Sequence, residues 1–212
     1  MVKVAIMQPH FLPYYGFFSL MKEADIFILL DNVQFSKQSW QQRNKVQIDG
    51  KDKWLTVPII QKTERGLDDY LQPRMTSKKL IKDVQLADHS VIYAMQNMLK
   101  LEFNYQLVFS PLFDLLSIDL VNILDIRDRL GIKTPILLAS LLQETDIVKL
   151  TETVGGTEYI STGGSRVYFD DELENRFMNK GVTVKFNDYE PDYSIVQYLD
   201  NKKYLKDRGV IA

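Results

Sequence analysis

The chain of 212 residues contains no cysteine. This absence excludes disulfide bridges, thiol nucleophiles, thiolate zinc sites and iron–sulfur clusters. It also fits a reducing compartment, so we expect a cytoplasmic protein.

The sequence also lacks an excess of charge of one sign and lacks long apolar runs. Its 26 Lys and Arg residues against 28 Asp and Glu residues give a formal net charge of −2. Nucleic-acid-binding proteins usually carry a strongly basic surface, so no nucleic-acid partner is expected. No run approaches the roughly 20 apolar residues of a membrane span, and the apolar stretch at the start is too short for a secretory signal. We therefore expect no integral membrane segment.

Apolar residues make up 45% of the chain, and their spacing predicts one globular domain that starts with a βαβ unit. This unit has a strand over residues 2–7, a helix from about 13 to 24 and a strand over 26–30. Ligands of such units collect outside the carboxyl ends of the strands. Gln8 to His10 and Asp31 to Phe35 should therefore face one crevice.

The middle of the chain has a different pattern. The dipeptide Asp49-Gly50 between two apolar stretches predicts a hairpin, whereas residues 61–79 are polar and predict an exposed loop or a short helix. Helical spacing returns from Val91 to Leu99 and from Leu112 to Gly131, so two helices are expected there.

The last third alternates between strands and helices. It shows an apolar stretch over 136–139, a helix from about 144 to 154, a strand over 159–161, a helix from about 170 to 180 and a strand over 182–186. We predict an α/β fold with three layers and a mostly parallel, Rossmann-like sheet. Residues 1–212 would form a single domain with an inserted hairpin and helical lobe at about 45–130. The stretch from residue 200 is expected to be a frayed end.

The first candidate site is the turn from Gln8 to Phe18. A strand that leads into Pro9, His10 and Pro13 presents backbone N–H groups and an imidazole to the crevice, an arrangement that often holds a phosphate or carboxylate. The alternative is a rigid strand-to-helix turn.

The second candidate site is the loop from Asp31 to Asn44, which combines amides, hydroxyls, cations and Trp40 directly after a buried strand. An indole can stack on a ring while amide and guanidinium groups bond the edges of that ring. The loop therefore favours a sugar or nucleotide ligand. The alternative is a solvated loop whose Trp40 plugs the core.

The third candidate site is the turn from Ser161 to Arg166. Gly163 and Gly164 let the backbone approach an anion, and Arg166 can donate two hydrogen bonds to a phosphate or carboxylate. Outside these segments, His89 has no visible acid or nucleophile partner, and Asp119 lies on an apolar helix stripe where a carboxylate needs a partner. No spacing in the sequence resembles a metal site.

These segments resemble the WbqC-like family, whose bacterial members are typically encoded among enzymes of O-antigen and other surface-polysaccharide synthesis. The resemblance runs along most of the chain and is most specific in about the first sixty residues. The matching residues are Gln8-Pro9, Pro13, Gly16-Phe17-Phe18, Ala24-Asp25, Asp31, Val33-Gln34-Phe35, Trp40-Gln41, Arg43-Asn44, Trp54 to Pro58, Leu130-Gly131-Ile132, Tyr159-Ile160-Ser161, Gly163-Gly164 and Tyr168.

The resemblance implies work on a nucleotide- or lipid-linked amino sugar, with transfer of a small acyl or aminoacyl group such as glycine. In that reaction His10 or Asp31 would take the proton from the attacking amine. Arg43 and Arg166 would hold phosphate or carboxylate, and Trp40 would stack on a ring. The other expected substrate-binding residues are Gln8, Gln34, Asn44, Ser161, Thr162, Gly163 and Gly164.

A more distant likeness gives an alternative function. The His-containing turn at the start, with Ser161-Thr162 and Arg166 before a late helix, is similar to nucleotidyltransferases with a His-x-Gly-His signature. This chain departs from that signature, because Phe17 follows Gly16 where the second histidine would stand. A nucleotidyltransferase-like or adenylating enzyme would use ATP with Mg²⁺. A non-catalytic sugar-nucleotide-binding or scaffold protein of the same pathway is a third function.

Overall fold

The computed structural model describes residues 1–60, 76–190 and 192–211. In chain order the strands are β1 (Lys3–Met7), β2 (Ile26–Leu29), β3 (Gln34–Ser36), β4 (Arg43–Ile48), β5 (Lys51–Thr56), β6 (Thr76–Leu80), β7 (Ile136–Leu138), β8 (Glu158–Thr162) and β9 (Thr183–Asn187). The α-helices are α1 (Tyr15–Glu23), α2 (His89–Phe103), α3 (Leu115–Arg129), α4 (Ala139–Leu142), α5 (Ile147–Thr153), α6 (Asp171–Asn179) and α7 (Lys202–Asp207).

The centre of the molecule is a sheet of five strands in the order β7-β2-β1-β8-β9. Every neighbouring pair in this sheet is parallel. The chain moves outward from β1 through β2 to β7 and then crosses to β8 on the other side of β1. The strand order therefore reverses between β1 and β8, and the predicted α/β, Rossmann-like class is confirmed.

Apolar residues cover both faces of this sheet, which makes three layers. Val4 and Ile6 of β1 join one buried cluster with Val148 of α5 and Phe177 of α6. Ala5 points to the opposite face and joins a second cluster that includes α1, α2 and α3. Because side chains alternate along a strand, burial on both faces requires the almost continuous apolar run seen in the sequence.

Local sequence signals explain where several elements turn or stop. Asp49 and Gly50 have φ angles of 50° and 72°, as a two-residue hairpin turn requires, and they join β4 to β5. Gly131 follows α3 with a φ of 70°, the left-handed geometry that commonly ends a helix. The predicted hairpin and the predicted end of α3 are both confirmed.

Two predictions about irregular segments are wrong. Residues 76–79, expected in a loop or short helix, belong to β6, which pairs with β3; the rest of that stretch, 61–75, lies outside the described residues. The C-terminal stretch is not frayed, because α7 buries Leu205 and the following turn buries Val210. The Lys22 ammonium donates to the carbonyl of Gly209, which attaches this segment to α1.

The segment between β2 and β7 shares its core with the sheet. Val46, Leu55, Ile92 and Ile118 belong to the same buried cluster as Phe17 of α1. Its description as an inserted lobe of a single domain stays a prediction.

Within the part of the chain that the structure describes, no helix combines the length and apolar character that a membrane crossing requires.

Candidate functional site

The three predicted site segments begin at the carboxyl ends of adjacent strands. Gln8 follows β1, Asp31 follows β2 and Gly163 follows β8, and β1 lies between the other two strands. In a parallel sheet these ends meet at one edge, and ligands bind where the strand order reverses. The structure therefore brings the starts of all three segments to the same edge of the sheet.

Hydrogen bonds join the turn after β1 to the loop after β2. The side-chain NH₂ of Gln41 donates to the side-chain carbonyl of Gln8 at 3.0 Å, and the backbone N–H of Phe11 donates to the Trp40 carbonyl at 2.8 Å. The Asn44 NH₂ donates to the Leu12 carbonyl at 2.7 Å. Leu12 has a φ of 44°, an uncommon value for a bulky residue, and the bond from Asn44 helps to hold it there.

An aromatic and cationic surface, here named the indole platform, consists of Trp40, Trp54 and Arg43. Trp40 is 46% exposed and Trp54 is 47% exposed, so the alternative in which Trp40 plugs the core is wrong. Their ring centroids are 6.1 Å apart, and the Arg43 guanidinium carbon lies 4.4 Å from the Trp54 centroid. Trp54 is not among the predicted site residues, although it is one of only two tryptophans in the chain.

His10 precedes Phe11, whose backbone N–H bonds to the Trp40 carbonyl, and it is partly buried. Its ring centroid is 5.5 Å from that of Phe17, and no described residue forms a hydrogen bond with its imidazole. Burial lowers the pKa of His10 to about 4. The imidazole is therefore neutral near pH 7, and it is a weaker base than an ordinary histidine.

Asp31 has a different environment from His10. Its side chain is 2% exposed, and its carboxylate accepts hydrogen bonds from both the backbone N–H and the hydroxyl of Ser140, at the start of α4. These bonds satisfy the buried carboxylate and join the end of β2 to the end of β7.

Asn44 is also buried, and its side-chain carbonyl accepts from the Lys45 N–H, while its NH₂ group donates to Leu12. Gln8 and Gln34 are exposed.

The turn after β8 is largely bonded to itself. The Ser161 and Ser165 hydroxyls are 2.8 Å apart, and Ser165 also donates to the Thr162 carbonyl. Arg166 donates to both carboxylate oxygens of Asp188, at 2.6 and 3.1 Å. Arg166, predicted to bind an anion of the ligand, thus forms an ion pair with a carboxylate of the same chain.

The close approach of this ion pair explains Gly163. A Cβ atom at Gly163 would lie 1.9 Å from a carboxylate oxygen of Asp188, so no other residue fits there without movement. Gly164 is exposed, with open space around it. Gly163, predicted to bind a ligand, thus leaves room for the side chain of Asp188.

Comparison with known proteins identifies the family. The profile of the WbqC-like protein family matches residues 8–203. The chain belongs to the WbqC-like protein family. A curated relative, the uncharacterized protein Rv1507c of Mycobacterium tuberculosis (strain ATCC 25618 / H37Rv), is 26% identical over 210 residues, which cover 90% of this chain and 84% of the relative. No solved structure matches the chain.

Two further titratable residues of this WbqC-like protein, His89 and Asp119, lie far along the chain from the indole platform. His89 is the first residue of α2, and its ring lies 5.6 Å from that of Phe109. Asp119 is completely buried, and neither carboxylate oxygen has a hydrogen-bond partner among the described residues. Burial, with a smaller contribution from Asp114, raises the pKa of Asp119 well above its usual range. In the described ranges no three His, Asp or Glu side chains form a group that could hold a metal ion.

Proposed function

We propose that this WbqC-like protein binds an amino sugar at the indole platform and transfers a small acyl or aminoacyl group to the sugar amine. One observation carries the proposal. A half-exposed indole, Trp40, is bonded through its backbone to the residue after His10, so the loop that carries the ring-stacking side chain is attached to the turn that carries the imidazole.

The chemistry of the neighbouring groups supports a sugar ligand. The apolar C–H face of a sugar ring can pack on an indole, while its hydroxyls need hydrogen-bond partners at the ring edge. Gln8 is exposed and uses its carbonyl to accept from Gln41, which leaves its NH₂ group for a ligand hydroxyl. Gln34 is a second exposed amide in the same loop.

The proposed reaction is nucleophilic substitution at an activated carbonyl. The amine nitrogen of the sugar forms a bond to the carbonyl carbon of the donor. The bond between that carbon and its leaving group breaks, and the leaving group departs with the electron pair. His10 accepts the proton that the amine loses. In this proposal Asp31 is a positioning residue, because Ser140 already occupies both of its oxygens.

The family membership supports the pathway of this proposal, since WbqC-like proteins are typically encoded among enzymes of surface-polysaccharide synthesis. The nucleotidyltransferase alternative receives less support. Phe17, at the position of the second signature histidine, is completely buried in the core and presents no group to a phosphate. The proposed reaction includes no nucleotide transfer. The protein would act in the cytoplasm on a nucleotide- or lipid-linked amino sugar.

Tryptophan fluorescence can test the binding step, because both tryptophans of the chain lie in the indole platform. We expect nucleotide-linked amino sugars to quench the fluorescence. Incubation with activated glycyl and acyl donors should then give an N-acylated sugar detectable by mass spectrometry. The variant His10→Gln should still quench but should lose about 100-fold or more in rate. No quenching by any amino sugar would contradict the proposal.

A further inference from the structure

Arg43 differs from the other arginines that the structure describes in having no acidic partner. Each of the other five pairs with a carboxylate: Arg127 with Asp128, Arg129 with Asp125, Arg166 with Asp188, Arg176 with Asp146, and Arg208 with Glu190. No Asp or Glu of residues 1–60, 76–190 or 192–211 lies within ion-pair distance of Arg43. Arg43 is nevertheless a partly buried residue.

The surroundings of Arg43 hold its guanidinium in one place. Arg43 begins β4, and Trp54 lies opposite Lys45 on β5, so Arg43 and Trp54 share one face of the hairpin. The guanidinium carbon lies 4.4 Å from the Trp54 centroid. A guanidinium on an indole face keeps its in-plane N–H groups free for an acceptor. Asp52 of the same hairpin already pairs with Lys45 at 3.1 Å.

A partly buried cation with no acidic partner among the described residues points to an anion from outside the protein. We propose that Arg43 and Trp54 form a phosphate subsite and that the amino sugar binds as a glycosyl phosphate or diphosphate. This inference depends on the proposed function, because it assumes that the sugar ring lies on Trp40.

The arrangement of the platform favours a phosphate at this position. Trp54 contacts both Arg43 and Trp40, so the anion subsite lies directly beside the ring-stacking surface. In a glycosyl phosphate the anionic group is attached directly to the sugar ring, which matches this adjacency. A carboxylate from the acyl donor is a poorer match, because activation of the donor consumes its carboxylate.

The test compares three probes by tryptophan fluorescence: glucosamine 1-phosphate, methyl glucosaminide and inorganic phosphate. We expect glucosamine 1-phosphate to bind at least about tenfold more tightly than methyl glucosaminide, as a charge-assisted hydrogen bond predicts. Arg43→Gln should abolish this preference, so that glucosamine 1-phosphate and methyl glucosaminide bind with similar affinity. Arg43→Lys should retain part of it. Arg127→Gln, which removes a partly buried arginine of α3, is the matched control and should leave all affinities unchanged.

The outcomes separate this inference from the proposed function. If methyl glucosaminide binds and is acylated as well as the phosphorylated sugar, the phosphate subsite is wrong and the proposed function stands. If inorganic phosphate binds in an Arg43-dependent way but the sugar adds nothing, the proposed function is wrong. Two further probes distinguish the carriers: an amino sugar linked to a nucleoside diphosphate, and an amino sugar linked to a polyprenyl diphosphate in detergent. The phosphate subsite requires Arg43-dependent binding of at least one of them. Binding of neither would overturn the subsite.

Discussion

The side-chain NH₂ of Gln41 donates to the side-chain carbonyl of Gln8 at 3.0 Å. Gln41 is 1% exposed, and its own carbonyl accepts from the Ser36 N–H at 2.7 Å. One buried amide thus joins the loop that carries Trp40 to the end of the strand that precedes His10. The loop that carries Trp40 and the turn that carries His10 are held together by this contact as well as by the backbone bond from Phe11 to Trp40.

We expect Gln41→Met to weaken both the fold and the site. The substitution keeps the side-chain length but leaves the Ser36 N–H and the Gln8 side chain without their partner, which should cost about 1–3 kcal/mol of unfolding free energy. Binding of an amino sugar should weaken in parallel, as measured by tryptophan fluorescence. Gln106→Met, at an exposed position, is the control. An unchanged denaturation midpoint in Gln41→Met would contradict the assigned role.

His10 should titrate far below an ordinary histidine. Because burial lowers its pKa from 6.5 to about 4, proton NMR of the folded protein should show its imidazole signals changing near pH 4. The chain has only two histidines, so His89→Gln leaves one set of signals to assign. A midpoint near pH 6.5 would show a solvated imidazole and would contradict this environment.

The same shift predicts how stability depends on pH. The unfolded chain binds a proton at His10 below about pH 6.5, whereas the folded protein binds it only near pH 4. The free energy of unfolding should therefore fall as pH decreases from 6.5 to 4. His10→Gln should lack this part of the dependence in urea denaturation series. Parallel curves for the two proteins would contradict the prediction.

Asp31 and Ser140 should behave as one coupled unit. Removing either partner by Asp31→Asn or Ser140→Ala should cost about 1–3 kcal/mol, since each leaves a buried polar group with fewer bonds. The double variant should cost less than the sum of the two single variants. Asp88 and Ser90 form an exposed Asp–Ser pair, and the same cycle there should show a much smaller coupling. Additive losses at Asp31 and Ser140 would rule out the coupling.

The start of the fold could be predicted from the sequence because its signals are local. The apolar run of β1 and the dipeptide Asp49-Gly50 specify a buried strand and a tight turn without reference to distant residues. The order of neighbouring strands also follows from chain order within a βαβ unit. The position of the candidate site at the carboxyl ends of the strands could therefore be predicted.

The partners of the site residues could not be predicted, because they come from distant parts of the chain. Asp31 meets Ser140 across 109 residues, and Arg166 meets Asp188 across two neighbouring strands. These contacts change the expected roles, since they turn two candidate ligand groups into groups with protein partners. Trp54 was missed for a related reason: only the register of β4 on β5 places it on the same face as Arg43.

Asp119 gives a pH dependence of the opposite sign to that of His10. The folded protein holds the proton of this buried carboxyl well above pH 3.8, whereas the unfolded chain releases it near pH 3.8. The free energy of unfolding should therefore fall as pH rises from about 3.8 toward the raised pKa of the folded state. Asp119→Asn should remove this dependence. Asp119→Leu should in addition stabilise the fold near pH 7 by about 1–3 kcal/mol, because it removes a buried polar group without a partner.

Urea denaturation of the wild type and both variants from pH 4 to 8 measures this effect. Asp128→Asn, which changes an exposed carboxylate on the same helix, is the control and should keep the dependence of the wild type. If Asp119→Asn and the wild type lose stability equally with rising pH, the Asp119 carboxyl does not hold its proton in the folded protein. If Asp119→Leu is destabilised throughout, the carboxyl has a stabilising partner in the fold. The expected result, an Asp119→Asn variant that lacks the loss of stability seen in the wild type, requires an Asp119 carboxyl that is neutral in the folded state.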